Sequence, residues 1–274
     1  IRTYQPAISI SGVGNRLAHN DIHDAPHSGI ILSGNEHVLE YNELYRLAKE
    51  TGDVGAFYMG RDWTQRGNII RYNYFHDLVA PGLHGVNAVY LDDWSSGTEI
   101  YGNVFYKAGL GVMIGGGRDN TVTDNVFIDC YPSVHVDSRG LGWAKYYFDG
   151  TTNTLFDRMD AMNYSQPPYS EKYPELLTLY DDEPAVAKNN HILNNVSTGE
   201  KWLNLHNGLD LTVVEVQKNM VYQQDGAYKN EQDFTQASDS NFVSIEDDEI
   251  KIKKSVAGKY EFKLKPLKKM GNYE

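Results

Sequence analysis

An aliphatic residue stands three places before an asparagine seven times along the chain, at Leu17/Asn20, Leu39/Asn42, Ile70/Asn73, Ile100/Asn103, Val122/Asn125, Ile192/Asn195 and Val216/Asn219. Two places beyond six of these asparagines comes a further apolar residue: Ile22, Leu44, Phe75, Phe105, Phe127 and Val221. The asparagines are separated by 22, 31, 30, 22, 70 and 24 residues, a period in the low twenties interrupted by insertions. Three short strands make a coil of about that length, and such coils stack at roughly 4.8 Å. The pattern specifies an all-β, right-handed parallel β-helix, a solenoid whose asparagines form an internal ladder bonding each coil to its neighbours. An antiparallel sandwich would need tight hairpin dipeptides, and Asn-Gly occurs once, at Asn207-Gly208, with no hairpin pattern around it.

Strand alternation assigns the interior to Ile30, Leu32, Tyr58, Ala88, Tyr90, Val112, Ile114, Val134 and Val136. The repeat assigns residues 1–241 to the β-helix, interrupted over 141–189 by an inserted helical and loop segment. Within the insertion, Leu155–Met162 and Tyr173–Tyr180 look helical, and its length suits a cover over a groove. The stretch 225–241 is polar and reads as a loop. Residues 242–274 form a tail expected to pack along the outside of the coils, through Phe242, Val243, Ile250, Ile252, Tyr260, Phe262, Leu264 and Leu267.

Composition narrows the partners. A net charge of -12 disfavours nucleic acid, whose phosphates need a basic surface, and no run is long enough to span a membrane. The single cysteine, Cys130, lies in an apolar run and reads as inert. His19, His23 and His27 come without an accompanying carboxylate or cysteine pattern. The acidic run Glu246 to Glu249 reads as a solvated face rather than a calcium site, so neither metal nor cofactor is expected.

The candidate chemistry lies between Asn87 and Trp143. Three successive copies of the coil break from an apolar strand into Asp92-Asp93-Trp94, then Gly115-Gly116-Gly117-Arg118-Asp119, then His135-Val136-Asp137-Ser138-Arg139. Stacked, they place carboxylates on two coils and glycine on the coil between, the floor of a groove. Asp92 and Asp93 cannot both face it, and crowding with Asp62 one coil away would raise one carboxyl's pKa. Two coil spacings separate Asp137 from that pair, roughly 9–10 Å between backbones, which favours an inverting arrangement with water between carboxyl and sugar. Trp63, in a Gly60-Arg61-Asp62 turn, and Trp143, at the start of the insertion, are expected as exposed faces for sugar rings. Three glycines in a row suit close approach of a ligand to backbone.

The runs Leu-Asp-Asp, Gly-Gly-Gly-Arg-Asp-Asn and His-Val-Asp-Ser-Arg-Gly, with the ending Phe262 to Tyr273, resemble bacterial right-handed β-helix carbohydrate-active proteins. Glycoside hydrolase family 141 and its relatives are the nearest in pattern. The resemblance implies a carbohydrate substrate, a secreted, periplasmic or cell-surface address, and aspartates as catalytic acid and base. That role is carried to Asp92, Asp93 and Asp137, with substrate contacts expected from Arg61, Asp62, Trp63, Trp94, Arg118, His135, Arg139 and Trp143. The chain is short for such a protein, so additional coils preceding it are expected as partners of its first coil.

The leading reading is thus a glycoside hydrolase acting on a complex poly- or oligosaccharide. A polysaccharide lyase on the same scaffold would use arginines to offset a uronate, although no lysine lies in the central motifs. A non-catalytic glycan-binding β-helix would use the aromatics alone.

Overall fold

The computed structural model describes residues 3–82, 84–222, 234–253 and 266–272. Apart from an antiparallel pair in the tail, Val243–Glu246 with Glu249–Ile252, its strands form three parallel sheets of seven, seven and eight strands, in which each strand pairs with the equivalent strand of the coil before and after. The first sheet contains Ile8–Ile10, Ile30–Leu32, Val54–Gly60, Val86–Asp92, Leu110–Gly115, Val134–Asp137 and Leu203–His206. Along it the register is continuous: Phe57 pairs with Val89, Val89 with Val112, Val112 with Val134, and Val134 with Leu203. Equivalent side chains therefore stand in columns running the length of the tube. The stretch 225–241, expected as a loop, gives the third sheet a further strand, since Phe234–Gln236 pairs in parallel with Asn219–Val221.

The asparagine repeat is a hydrogen-bonded ladder. Asn42 Nδ2 donates to Asn73 Oδ1 at 2.9 Å, Asn73 to Asn103, Asn103 to Asn125 and Asn125 to Asn195 each at 3.0 Å, with Asn20 and Asn219 at the two ends. The same oxygens also accept the backbone N–H of the preceding coil's asparagine, and each interior Nδ2 donates again to the carbonyl of the aliphatic residue in the motif, as Asn103 does to Ile70 and Asn125 to Ile100. The residue before each asparagine has a positive φ, including Tyr41, Tyr72, Asp124 and Asn194, so the chain turns there and leaves the amide pointing inward. The ladder asparagines from Asn42 to Asn219 are all buried, where an amide must be satisfied to be tolerated.

Beside the ladder, Phe75, Phe105 and Phe127 stack with centroids 5.1 and 4.7 Å apart, close to the coil spacing. Ile30, Leu32, Ala88, Val112, Ile114, Val134 and Val136 occupy the same core. Tyr58 and Tyr90 do not: they alternate with Met59 and Leu91, which are in the core, and so stand on the outer face. Cys130 is buried, and burial pushes its thiol up to about 12.

The insertion leaves the coils after Asp137 and returns at Asn190. It contains an α-helix, Thr154–Ala161, a shorter one at Tyr169–Lys172, and two 3-10 turns, Pro174–Leu177 and Leu179–Asp181, over the second run expected as helical, Tyr173–Tyr180. Its apolar side packs on Trp63 and Trp94 through Tyr147, Leu155, Met159, Tyr173, Leu176 and Leu179. Arg66, fully buried, fastens it by donating to Glu175 at 2.7 Å while also holding Asp119 at 2.7 Å. It thus flanks the first sheet at the strand ends rather than covering it.

The tail packs on the third sheet: Phe242 and Val243 meet Val126, Ile128 and Val196, while Leu267 and Met270 meet Val104. Tyr260, Phe262 and Leu264 lie outside the described residues.

Replacing Asn103 by Ala removes three donated bonds, orphans the buried backbone N–H of Asn73 and takes one of three acceptors from Asn73 Nδ2. It should lower unfolding free energy by about 3 kcal/mol in urea titration, whereas Asn20→Ala at the partly exposed end should lose less than about 1 kcal/mol. Equal losses would contradict the ladder's role.

Candidate active site

The outer face of the first sheet carries two adjacent columns of side chains. One reads Tyr58, Tyr90, Met113, His135, Asn204; the next reads Gly60, Asp92, Gly115, Asp137, His206. Tyr90, Met113 and His135 of the first column and Asp92 and Asp137 of the second line a cavity of about 560 Å3, bounded by Asp53, Asn87 and Leu110 at the strand starts and by Arg61, Asp93, Arg139 and Trp143 at the strand ends.

Arg139 is the centre of the strand-end cluster. Its Nη1 donates to Asp92 Oδ1 at 2.6 Å and to Asp93 Oδ1 at 2.8 Å, while Nε and Nη2 hold Asp137 Oδ1 and Oδ2 at 3.0 Å each. Asp137 also accepts the Arg139 backbone N–H at 3.0 Å. One guanidinium therefore spans all three expected carboxylates, and each of them is nearly buried, at 8% (Asp92), 4% (Asp93) and 4% (Asp137) exposure.

Gly115 explains how this is possible. It sits between Asp92 and Asp137 in the column, and a Cβ added there would lie 2.1 Å from Arg139 Nη2 and 2.3 Å from Cζ. The glycine is the seat of the guanidinium. The neighbouring glycines serve the protein in the same way: a Cβ on Gly116 would meet Trp94 Nε1 at 2.9 Å, and one on Gly117 the Ser95 carbonyl at 1.9 Å. The glycine strip is filled by side chains and backbone of this chain, so the expectation of a bare surface for ligand is corrected.

The carboxyls differ electrostatically. Burial, reinforced by the negative charge of Asp93, raises the pKa of Asp92 above its usual range against the opposing effects of Arg139 and Tyr58, whose Oη donates to Asp92 Oδ2 at 2.9 Å. Burial would also raise Asp137, but the hydrogen bonds from His135 and Arg139 outweigh it and hold that carboxyl at about 2. His135 stands 3.2 Å from Asp137 through Nε2 and 2.7 Å from Asn204 through Nδ1. Arg139 loses by desolvation but is held protonated by Asp137, Asp92 and Asp93.

Of the other expected contacts, Arg61 and Trp143 reach the cavity. Arg61 Nε donates to Asp93 Oδ2 at 2.7 Å, and Trp143, 63% exposed, places its ring centroid 5.6 Å from the Arg139 guanidinium carbon. Four residues are placed elsewhere. Trp63 and Trp94 are fully buried, because the insertion supplies Tyr147, Phe148 and Phe156 to cover their rings. Arg118 is buried against the insertion, donating to the Asp182 carbonyl at 2.8 Å and to its carboxylate. Asp62 caps its own turn, accepting from Thr64 N at 2.9 Å and Thr64 Oγ1 at 2.6 Å, and so is not the charge that acts on Asp92. Tyr58, Tyr90, Asp53, Asn87, Met113 and Asn204 were not anticipated here. Strand parity would have found Tyr90, since any strand that turns Asp92 outward also turns the residue two before it outward.

Among the described residues no group of three or more His, Cys, Asp or Glu is placed to hold a metal ion. A family model described as a right handed beta helix region matches residues 6–165, more than half of the chain and the whole of the carboxylate cluster. The chain belongs to the right-handed β-helix family. Comparison with curated proteins and with solved structures gave no match. Membership of this β-helix family is consistent with carbohydrate-active proteins in general.

Because the pKa of Asp137 lies below its ordinary 3.8, its contribution to stability, on the order of 2 kcal/mol, is present above about pH 4 and lost as pH falls towards 2. Asp92 works in the opposite sense, since its raised pKa favours the folded state as it takes up a proton. Gly115→Ala should displace the guanidinium and move acid unfolding to higher pH, read by circular dichroism against pH. An unchanged acid transition would contradict the seat assigned to Gly115.

Proposed function

We propose that this protein is a glycoside hydrolase in which Asp92 is the general acid and Asp137 its anionic partner. The observation that carries the reading is the pair of carboxyls on one outward column, shared by one guanidinium, lining one cavity, and displaced in opposite directions from the ordinary pKa. A pair of acids pushed apart in this way matches the division of labour that glycosidic cleavage needs.

Asp92, holding its proton to higher pH than an ordinary aspartate, gives it to the glycosidic oxygen as the C–O bond breaks. Asp137, ionised throughout, stabilises the positive charge that develops at the anomeric carbon. Net, one water is consumed: its hydroxyl joins the anomeric carbon and its proton replaces the one Asp92 gave up. Arg139 holds both carboxyls in place, and the negative charge of Asp93, bonded to Arg61 and Arg139, adds to the burial that keeps Asp92 protonated. Trp143 offers an exposed indole at the strand-end mouth for a sugar face.

Charge balance supports hydrolysis over elimination. Both arginines of the cavity are already engaged by aspartates, so neither is left to offset a uronate carboxylate.

Asp137→Asn and Asp92→Asn should each lower reducing-sugar release by about 100-fold or more with the fold retained. Binding of glycan without any turnover by the wild type would favour a binding module, and an ultraviolet-absorbing unsaturated product would favour a lyase. The wild-type rate should fall on the acid side only as pH approaches 2, where Asp137 protonates, and on the alkaline side at the raised pKa of Asp92. Asp92→Asn should abolish the alkaline limb in the residual rate; persistence of that limb would assign the acid to another group.

A further inference from the structure

His135 lies between two partners of opposite hydrogen-bonding character. On one side its Nε2 is 3.2 Å from Asp137 Oδ2, an oxygen of a carboxylate and therefore an acceptor. On the other, its Nδ1 is 2.7 Å from Asn204 Nδ2, an amide nitrogen and therefore a donor. One protonation state satisfies both contacts: the neutral imidazole with its proton on Nε2 and its lone pair on Nδ1. The imidazolium would put an N–H against the Asn204 NH2, and the other neutral tautomer would put a lone pair against the Asp137 carboxylate.

Asn204 is placed for this by register alone. It pairs with His135 across the strands Val134–Asp137 and Leu203–His206, so the two side chains are neighbours in one outward column. The groups that bear on His135 are Asp137 and Arg139 from its own segment and His206 from the next coil, whose ring centroid is 6.3 Å away. Met113, its neighbour on the other flank, is uncharged, and Tyr90 lies one strand beyond.

We propose that Asn204 is a positioning residue: through His135, held neutral in the Nε2–H tautomer, it orients the Asp137 carboxylate. The inference rests on the hydrolase reading for its purpose. A neutral imidazole donates a hydrogen bond to Asp137 without adding positive charge next to a carbon that becomes positive in the transition state. An imidazolium there would oppose that charge.

The test uses the full chain labelled with 15N and long-range 1H–15N correlation spectra, with the His135 signals identified by their loss in His135→Phe. At pH 7 the wild type should show a protonated, pyrrole-like Nε2 and a pyridine-like Nδ1. Asn204→Leu should release the tautomer into exchange, and Asn204→Asp, which turns the donor into an acceptor, should move Nδ1 into the protonated range. An imidazolium or an Nδ1–H tautomer in the wild type at pH 7, or a spectrum unchanged in Asn204→Leu, would overturn the proposal. If a variant does not fold, the through-hydrogen-bond 15N–15N coupling between Asn204 Nδ2 and His135 Nδ1 in the wild type decides: its presence supports the contact and its absence removes it. These spectra are of the unliganded protein, so they decide the point whether or not any glycan is cleaved.

Discussion

Everything in this molecule depends on coils held in register. The asparagine ladder ties each coil to the next at a fixed turn, so a residue at a given place in one coil stands beside the residue at the same place in its neighbours. Buried amides make this register strict, because a slip by one residue would orphan several donors and acceptors in an apolar interior. The consequence on the outside is a set of columns. Asp92, Gly115 and Asp137 are far apart in sequence and adjacent in space for that reason alone.

On that frame the cluster around Arg139 is a buried ionic network, in which desolvation penalises every member and only mutual pairing makes the charges tolerable. Its asymmetry follows from who surrounds whom. Asp137 is enclosed by donors from Arg139 and His135 and stays ionised. Asp92 is desolvated by burial and also feels the charge of Asp93, with which it shares one arginine nitrogen, so it keeps its proton longer. The absence of a side chain at Gly115 lets the guanidinium lie flat between them. A site of this kind is made by a glycine as much as by its acids.

The fold was legible in the sequence because a repeat is a statement about register as well as propensity: the seven asparagines named from the pattern are the seven that form the ladder. The cluster was legible in part. Asp92 and Asp137 fall at equivalent points of the two coils that flank Gly115, and Arg139 falls in the turn that follows, so all three could be found by alignment of the repeat with itself. Trp63, Trp94 and Arg118 fall at such points too, yet the insertion packs over them, and which surface a long insertion covers is set by tertiary contacts such as Arg66 to Glu175 that no local pattern encodes. Alternation counted from the apolar residues places Tyr58 and Tyr90 inward, although the parity of Asp92 requires the reverse. In a parallel coil, a residue's column is a better guide to its environment than its polarity.

A solenoid of this type keeps its interior for stability and does its chemistry on the wall, so the functional claim reduces to how two carboxyls on that wall are charged. Site-resolved 13C NMR titration of the Asp92 and Asp137 carboxyl groups in the wild-type protein measures this directly. The account predicts that Asp137 titrates at about 2 and Asp92 above the ordinary aspartate range. Two carboxyls titrating together near the ordinary value, or in the reverse order, would contradict it.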